Sequence, residues 1–378
     1  MFMPTSSPDV LLPKNRNFMY RIMLRGCLCL AALYGLPANA QSNDQKAEAD
    51  ALLNEYLARS GLPGIAVAIG VKGELLYSGG FGYADVEQKV PIDPARTKFR
   101  IGSISKPLTS VAIGLLLQSG TLDLDAPIQA YVPVFPRKRE GVITIRNLAG
   151  HLSGIRHYAG ISEAFNQQNY SSILDTLSVF ADDALLHAPG EKYGYSSYGF
   201  NLISAAIESI SGGSYLDYMQ QHVFQPLDMR NTVADKVDDI IPDKSRYYRI
   251  ARGKIEKEDD YDASISWAGG GYLSTAEDLV KFGFSMLDNT LLTRATVDLL
   301  WTPQQLASGD MTRYGIGWQT LYANGTRYAF HSGDSPGGTV SLTIVESTGL
   351  VFVMASNTSF ANLDVPLIQR LSRIFVPI

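Results

Sequence analysis

The chain has 378 residues, of which 46% are hydrophobic and 18% charged, and it carries a formal net charge of −5. That is enough apolar sequence for one large domain or two smaller ones with a real core, and the charge balance leaves no basic footprint for nucleic acid. The two cysteines, Cys27 and Cys29, sit close to the N-terminus, so disulfides, thiolate nucleophiles and cysteine metal sites are excluded from the remainder.

The N-terminal stretch reads as a targeting segment. Lys14, Arg16, Arg21 and Arg25 precede the apolar run Cys27–Tyr34, which ends at Pro37-Ala38-Asn39-Ala40, an Ala-x-Ala cleavage pattern. The run falls short of the roughly 20 apolar residues that a membrane span needs. The expectation is a bacterial signal peptide over residues 1–40, cleaved after Ala40, and a periplasmic or secreted mature chain with no membrane span. A cysteine-free mature chain suits that oxidising compartment.

From Asp44 to Ser60 the apolar residues Ala47, Leu52, Leu53, Tyr56 and Leu57 keep helical spacing. Gly61-Leu62-Pro63-Gly64 ends that helix, and Ile65–Val71 reads as a buried strand. Lys72-Gly73 turns the chain into a return strand, Glu74 to Gly79. Gly79 to Thr97 is loop-like, with one short strand near Phe81. A helix follows Ser103 and runs through Gln118, stopped by Ser119-Gly120. Helical spacing returns over 171–180, 199–210 and 215–223. Residues 235–262 are charged and poor in apolar runs, which predicts a surface excursion or flap. Ser274 or Thr275 caps a further helix, Ala276 to Met286. The end of the chain is β-rich, with strands over 315–321, 326–330, 339–346 and 350–355, and a last helix over 363–375. Strands at both chain ends most simply share one antiparallel sheet. The prediction is an α+β fold: a sheet lobe from about 44–100 and 312–378 flanked by helices, and a mostly helical lobe from about 104–300, with a cleft between them.

Three stretches carry chemistry. Ser103-Ile104-Ser105-Lys106 opens the apolar helix. Positions three apart share a helix face, so the Lys106 amine sits beside the Ser103 hydroxyl. A serine becomes a nucleophile when a neighbour takes its proton, and a helix start offers free N–H groups to an oxyanion. Taken alone, the same string also fits a plain helix start with Ser103 as a cap. The second stretch is Tyr195-Ser196-Ser197, a turn that leads straight into a helix and can hold a phenol in a cleft wall. Beside Lys106, the tyrosine pKa of about 10 is expected to fall toward that of a base. The third is His331-Ser332-Gly333-Asp334, at a strand end among small residues. Such a strand can offer a backbone N–H to a carbonyl oxygen and a side chain to a carboxylate. His151 and His157 lack a carboxylate at ligand spacing, which points to a hydrogen-bonded structural histidine beside Ser153-Gly154 rather than to a metal. His157 and Tyr158 are candidates to line the cleft.

In this order, Ser103-x-x-Lys106, Tyr195-x-Ser197 and His331-Ser332-Gly333 resemble the active-site signature of serine β-lactamases and penicillin-binding proteins. The lysine–tyrosine version is similar to the class C branch, which includes D-Ala-D-Ala carboxypeptidases, D-aminopeptidases and esterases. Leu62-Pro63-Gly64, Phe99 to Lys106, Val223 to Leu227, Ala268 to Gly271 and Tyr314 to Trp318 look like further landmarks of that family. His151 to Tyr158 is especially similar to its mitochondrial type and the bacterial relatives of that type. The resemblance implies the β-lactamase/transpeptidase-like fold over nearly the whole mature chain. It implies that Ser103 is acylated, that Lys106 and Tyr195 share the proton transfers, and that the N–H groups of Ser103 and Asp334 hold the oxyanion. His331, Ser332, Gly333 and Ser197 would bind substrate, a small molecule or peptide, with no metal or organic cofactor. Two departures shape the expected activity. Tyr-x-Asn is Tyr195-Ser196-Ser197 here, and Lys-Thr-Gly is His331-Ser332-Gly333. Histidine carries less charge than lysine at neutral pH. The expected activity is therefore a serine peptidase or esterase, with a β-lactamase, or a penicillin-binding or filament-forming protein of little turnover, as alternatives. Oligomeric state is not legible in the sequence.

Overall fold

The computed structural model describes residues 38–323, 325–363 and 365–376. The targeting segment lies outside the described residues up to residue 37. Residues from Ser42 onward form one compact unit.

Twelve strands are present among the described residues: β1 Gly64–Val71, β2 Glu74–Asp85, β3 Val90–Pro91, β4 Phe99–Arg100, β5 Val233–Ala234, β6 Tyr248–Ala251, β7 Lys254–Lys257, β8 Tyr272–Ser274, β9 Gln319–Ala323, β10 Thr326–Ser335, β11 Gly338–Val345 and β12 Leu350–Ser356. Five helices exceed ten residues: α1 Ala38–Ser60, α2 Ser105–Gln118, α3 Tyr198–Ser211, α4 Ala276–Asp288 and α5 Val365–Phe375. The large sheet has the order β3-β2-β1-β12-β11-β10-β9, antiparallel throughout. Strands from the two chain ends meet at β1 and β12, where Ile65 faces Ser356 and Val71 faces Leu350.

Period-two alternation on β1 explains the layering. Ile65, Val67 and Ile69 join Leu53 and Tyr56 of α1 and Leu367 and Leu371 of α5 on one face. Ala66 and Ala68 face the opposite side, with Leu279 and Val280 of α4 and the core of α2 and α3. Small side chains on that face let α4 lie close to the sheet.

Several elements depart from the sequence pattern for local reasons. β2 continues past Gly79 to Asp85 because its glycines admit a close neighbour: a Cβ on Gly80 would lie 2.2 Å from the Ile92 carbonyl oxygen. β9 starts at Gln319 rather than Gly315, because Gly315 to Trp318 closes a tight turn in which Gly317 has φ +77°. The excursion over 235–262 carries the β6–β7 hairpin. Ser103 precedes α2 in a 3₁₀ turn, Gly102–Ile104. That turn is fed by β4, which belongs to the small sheet β4-β8-β5, and it packs against β10.

Candidate active site

Gly102 has φ +48°, a conformation that favours glycine. A Cβ there would stand 2.7 Å from both backbone N and O of Asp334. From the other side, a Cβ on Gly333 would stand 1.9 Å from the Ile101 carbonyl oxygen. The two glycines let the Ser103 turn and β10 approach each other backbone to backbone.

Ser103 Oγ is hydrogen-bonded to Lys106 Nζ at 3.0 Å and accepts from Tyr195 OH at 2.8 Å. Lys106 Nζ also donates to Ser197 Oγ at 3.0 Å and to the Gly269 carbonyl at 2.6 Å. Ser103, Lys106, Tyr195 and Ser197 therefore form one contiguous cluster. Lys106 is fully buried on the first turn of α2. Burial pushes its amine well below the ordinary lysine value, because desolvation disfavours the charged form.

Tyr195 goes the other way. Burial is the largest influence and pushes its phenol far above the ordinary value, against the smaller lowering effect of Ser103. The fall expected beside Lys106 does not occur: an amine that is itself poor at holding a proton gives a phenolate little support. At this pair the lysine is the better base and the tyrosine the better proton donor.

Two histidines hold the Tyr195 turn. His151 Nδ1 accepts the Ser196 N–H and His157 Nδ1 accepts the Ser197 N–H, both at 3.2 Å. Ser196 Oγ donates to the Arg156 carbonyl at 2.7 Å. The His151 ring also packs against Tyr195 and Tyr314, at centroid distances of 4.2 and 4.5 Å. Each histidine must be neutral at Nδ1 to accept, and burial lowers the pKa of both.

The β10–β11 hairpin closes through Pro336-Gly337, with Ser335 opposite Gly338. A two-residue loop makes that closing pair a hydrogen-bonded one, so the backbone groups of Ser332 and Asp334 point away from β11. Pairing to β9 ends at Phe330–Gln319, which leaves these N–H groups on an open edge beside Ser103. His331, Gly333 and Ser335 are buried, whereas Ser332 and Asp334 are exposed to the cleft.

His331 reaches the cleft wall, but both its ring nitrogens are engaged by the protein. Nδ1 donates to the Ser332 carbonyl at 2.6 Å, which leaves Nε2 to accept from Tyr314 OH at 2.8 Å. Burial lowers its pKa to about 3. The expectation that His331 offers a side chain to a substrate carboxylate is therefore corrected, since the ring is neutral and has no free donor. Tyr314 fixes this tautomer. It was read from the sequence only as a family landmark, and an aromatic residue spaced from a histidine on another strand gives no local signal of the contact.

The cleft has a volume of about 510 Å³. Ser103, Tyr195, Ser197, Ser332 and Asp334 line its floor and edge, and His157, Tyr158, Phe165, Tyr261 and Ile265 line its walls. No group of three His, Cys, Asp or Glu side chains among the described residues is placed to hold a metal. No helix among them is long and apolar enough to cross a membrane.

The model of the Beta-lactamase family matches residues 49–373. The human serine beta-lactamase-like protein LACTB of mitochondria is 32% identical over 78% of this chain and 71% of its own length. Among solved structures, the octameric penicillin-binding protein homologue from Pyrococcus abyssi superposes with a TM-score of 0.75 at 25% identity, covering 87% of this chain and 77% of that one. The D-amino acid amidase from Ochrobactrum anthropi, solved with D-phenylalanine, superposes with a TM-score of 0.73 at 23% identity, covering 88% and 98%.

Proposed function

The chain belongs to the beta-lactamase family, a fold of serine hydrolases, and from that premise we propose that it is an exported hydrolase that forms an acyl-enzyme on Ser103 with a D-amino-acid-type amide or an ester. The observation that carries this reading is the double contact on Ser103 Oγ, with an amine at 3.0 Å and a phenol at 2.8 Å.

In the proposed cycle Ser103 Oγ attacks the acyl carbon while Lys106, as a neutral amine, takes the hydroxyl proton. The oxyanion forms between the N–H groups of Ser103 and Asp334, held to each other by the close approach at Gly102 and Gly333. Collapse breaks the bond to the leaving amine or alkoxide, which receives a proton from Tyr195 OH; Lys106 returns the proton to the phenol. Water then attacks the ester on Ser103 with the same pair acting in reverse, releasing the acid and restoring the hydroxyl. Ser197 keeps Lys106 in line, and the amidase among the structural neighbours supports an amide as the substrate class. The predicted signal peptide supports export.

The test is covalent labelling with a fluorophosphonate, followed by mass spectrometry of the labelled peptide. The adduct is expected on Ser103 and is expected to vanish in Ser103→Ala. A folded protein that takes up no label and hydrolyses no ester, amide or lactam overturns the proposal.

A further inference from the structure

Among the residues that line the cleft, Asp334 is the one with an aspartate, glutamate, lysine or arginine side chain. His331 is neutral with both nitrogens engaged. His157 accepts the Ser197 N–H and its pKa is lowered to about 4. Lys106 lies beneath the floor, fully buried and engaged by Ser103, Ser197 and the Gly269 carbonyl. Two arginines on the flanking elements are closed off as well. Arg100 is held by Asp235 and Asp260 between the rings of Tyr247 and Tyr261, and Arg156 by Glu163 and Asp183.

Asp334 makes no ion pair among the described residues, although its carboxyl is partly desolvated and thereby shifted upward. Its cross-strand neighbour is the uncharged Thr339, whose hydroxyl hydrogen-bonds the carboxyl and partly offsets that shift. Its backbone N–H lies beside Ser103, and its exposed side chain, on the opposite strand face from Gly333, borders the cleft close enough to act on the Tyr195 phenol. A substrate held by that N–H presents the acyl carbon's own substituents beside the residue that bears the carboxylate. A cation at that place is attracted and an anion repelled, in a wall where little else screens either.

We propose that the cleft selects acyl donors that carry a positive charge next to the scissile carbonyl, namely amides or esters of amino acids with a free ammonium, and rejects carboxylate-bearing donors, with Asp334 as the specificity-determining residue. This rests on the Ser103 hydrolase reading. It also separates the protein from hydrolases whose cleft presents a cation to a substrate carboxylate.

The experiment compares alanine p-nitroanilide, in both enantiomers, with isobutyryl p-nitroanilide, which puts a methyl group where the ammonium stands. Where anilide turnover is below detection, the p-nitrophenyl esters of the same two acids replace them. The quantity read is the ratio of kcat/KM, alanyl over isobutyryl, in wild type and in Asp334→Asn, which keeps the backbone N–H and the side-chain shape. Comparing the two proteins cancels the different intrinsic reactivities of the substrates. The ratio is expected to fall about fivefold to tenfold in the variant, the size of one partly solvated charge pair. In wild type it is expected to shrink as salt rises, and the anionic β-lactam nitrocefin is expected to react better with the variant than with wild type. A ratio that stays within twofold in the variant overturns the proposal. If Asp334→Asn does not fold, a wild-type ratio that is flat from low to high salt overturns it instead. Labelling of Ser103 with an unchanged ratio sinks only this inference, whereas absence of labelling sinks the hydrolase reading beneath it.

Discussion

Replacing Gly333 by alanine tests the geometry on which the oxyanion site depends. The added Cβ would lie 1.9 Å from the Ile101 carbonyl oxygen and 3.0 Å from the Ile104 N. Both atoms are backbone, so no flexible side chain can yield. Ordinary contact begins near 3.4 Å, so the Ser103 turn and β10 must separate by about 1.5 Å, an overpacking of the kind that destabilises by roughly 1–3 kcal/mol. That displacement moves the Asp334 N–H away from the Ser103 N–H. A misplacement near 1 Å costs about 100-fold, and loss of one oxyanion donor costs about 100- to 1,000-fold in kcat. The expected result is a kcat at least 100-fold lower on a p-nitrophenyl ester, in a protein that still unfolds cooperatively in urea at a somewhat lower midpoint. Gly333→Ala with kcat within threefold of wild type would refute the close approach and the oxyanion site built on it.

Arg100→Met removes the guanidinium from Asp235, which is 2% exposed and, among the described residues, keeps the Lys244 ion pair at 2.7 Å. The expected loss is about 3 kcal/mol, the lower end for breaking a buried pair, read as a shift in the urea midpoint; a loss under about 1 kcal/mol would show that the arginine is not needed to stabilise that carboxylate. His331 predicts a stability that falls with acid. Its folded pKa of about 3 lies below the ordinary value of 6.5, so between those values the unfolded chain binds the extra proton. The contribution is fully present above pH 6.5 and is lost as pH falls toward 3, reaching about 2 kcal/mol at pH 5. Urea unfolding at pH 7.5 and pH 5 should show a smaller acid loss in His331→Gln than in wild type, and equal losses in the two proteins would contradict it.

What was legible in the sequence was mostly local. Lys106 lies three residues after Ser103, and the helix that follows makes their contact almost unavoidable. Thr275 was a candidate cap, and it accepts the Asp278 N–H at 3.1 Å. The antiparallel sheet joining both chain ends followed from apolar runs with turn residues between them. Chemistry that depends on facing was not legible. His331 looked like a group offered to substrate, but strand alternation turns residues 331, 333 and 335 inward and exposes 332 and 334. The Pro336-Gly337 turn was the signal that could have fixed that register, since it pins Ser335 opposite Gly338. The direction of the Tyr195 shift was missed for a different reason. Proximity to Lys106 can be inferred from motifs, but the burial that outweighs it is a property of the packed molecule.

The hydrogen-bond arrangement also constrains the direction in which the proton moves. The Gly269 carbonyl can only accept, so one Lys106 N–H always points to it. A neutral amine retains one further N–H and a lone pair, to be divided between Ser197 and Ser103. Ser103 Oγ already receives the Tyr195 O–H, and its own proton therefore has one acceptor in contact, the Lys106 lone pair. That leaves the second N–H for Ser197. The chain of donors then runs from Tyr195 through Ser103 to Lys106, with a phenol whose pKa is raised at one end and an amine whose pKa is lowered at the other. Both shifts have the same cause, since burial penalises phenolate and ammonium alike. One act of desolvation thus sets the acid and the base at opposite ends of a single contact line.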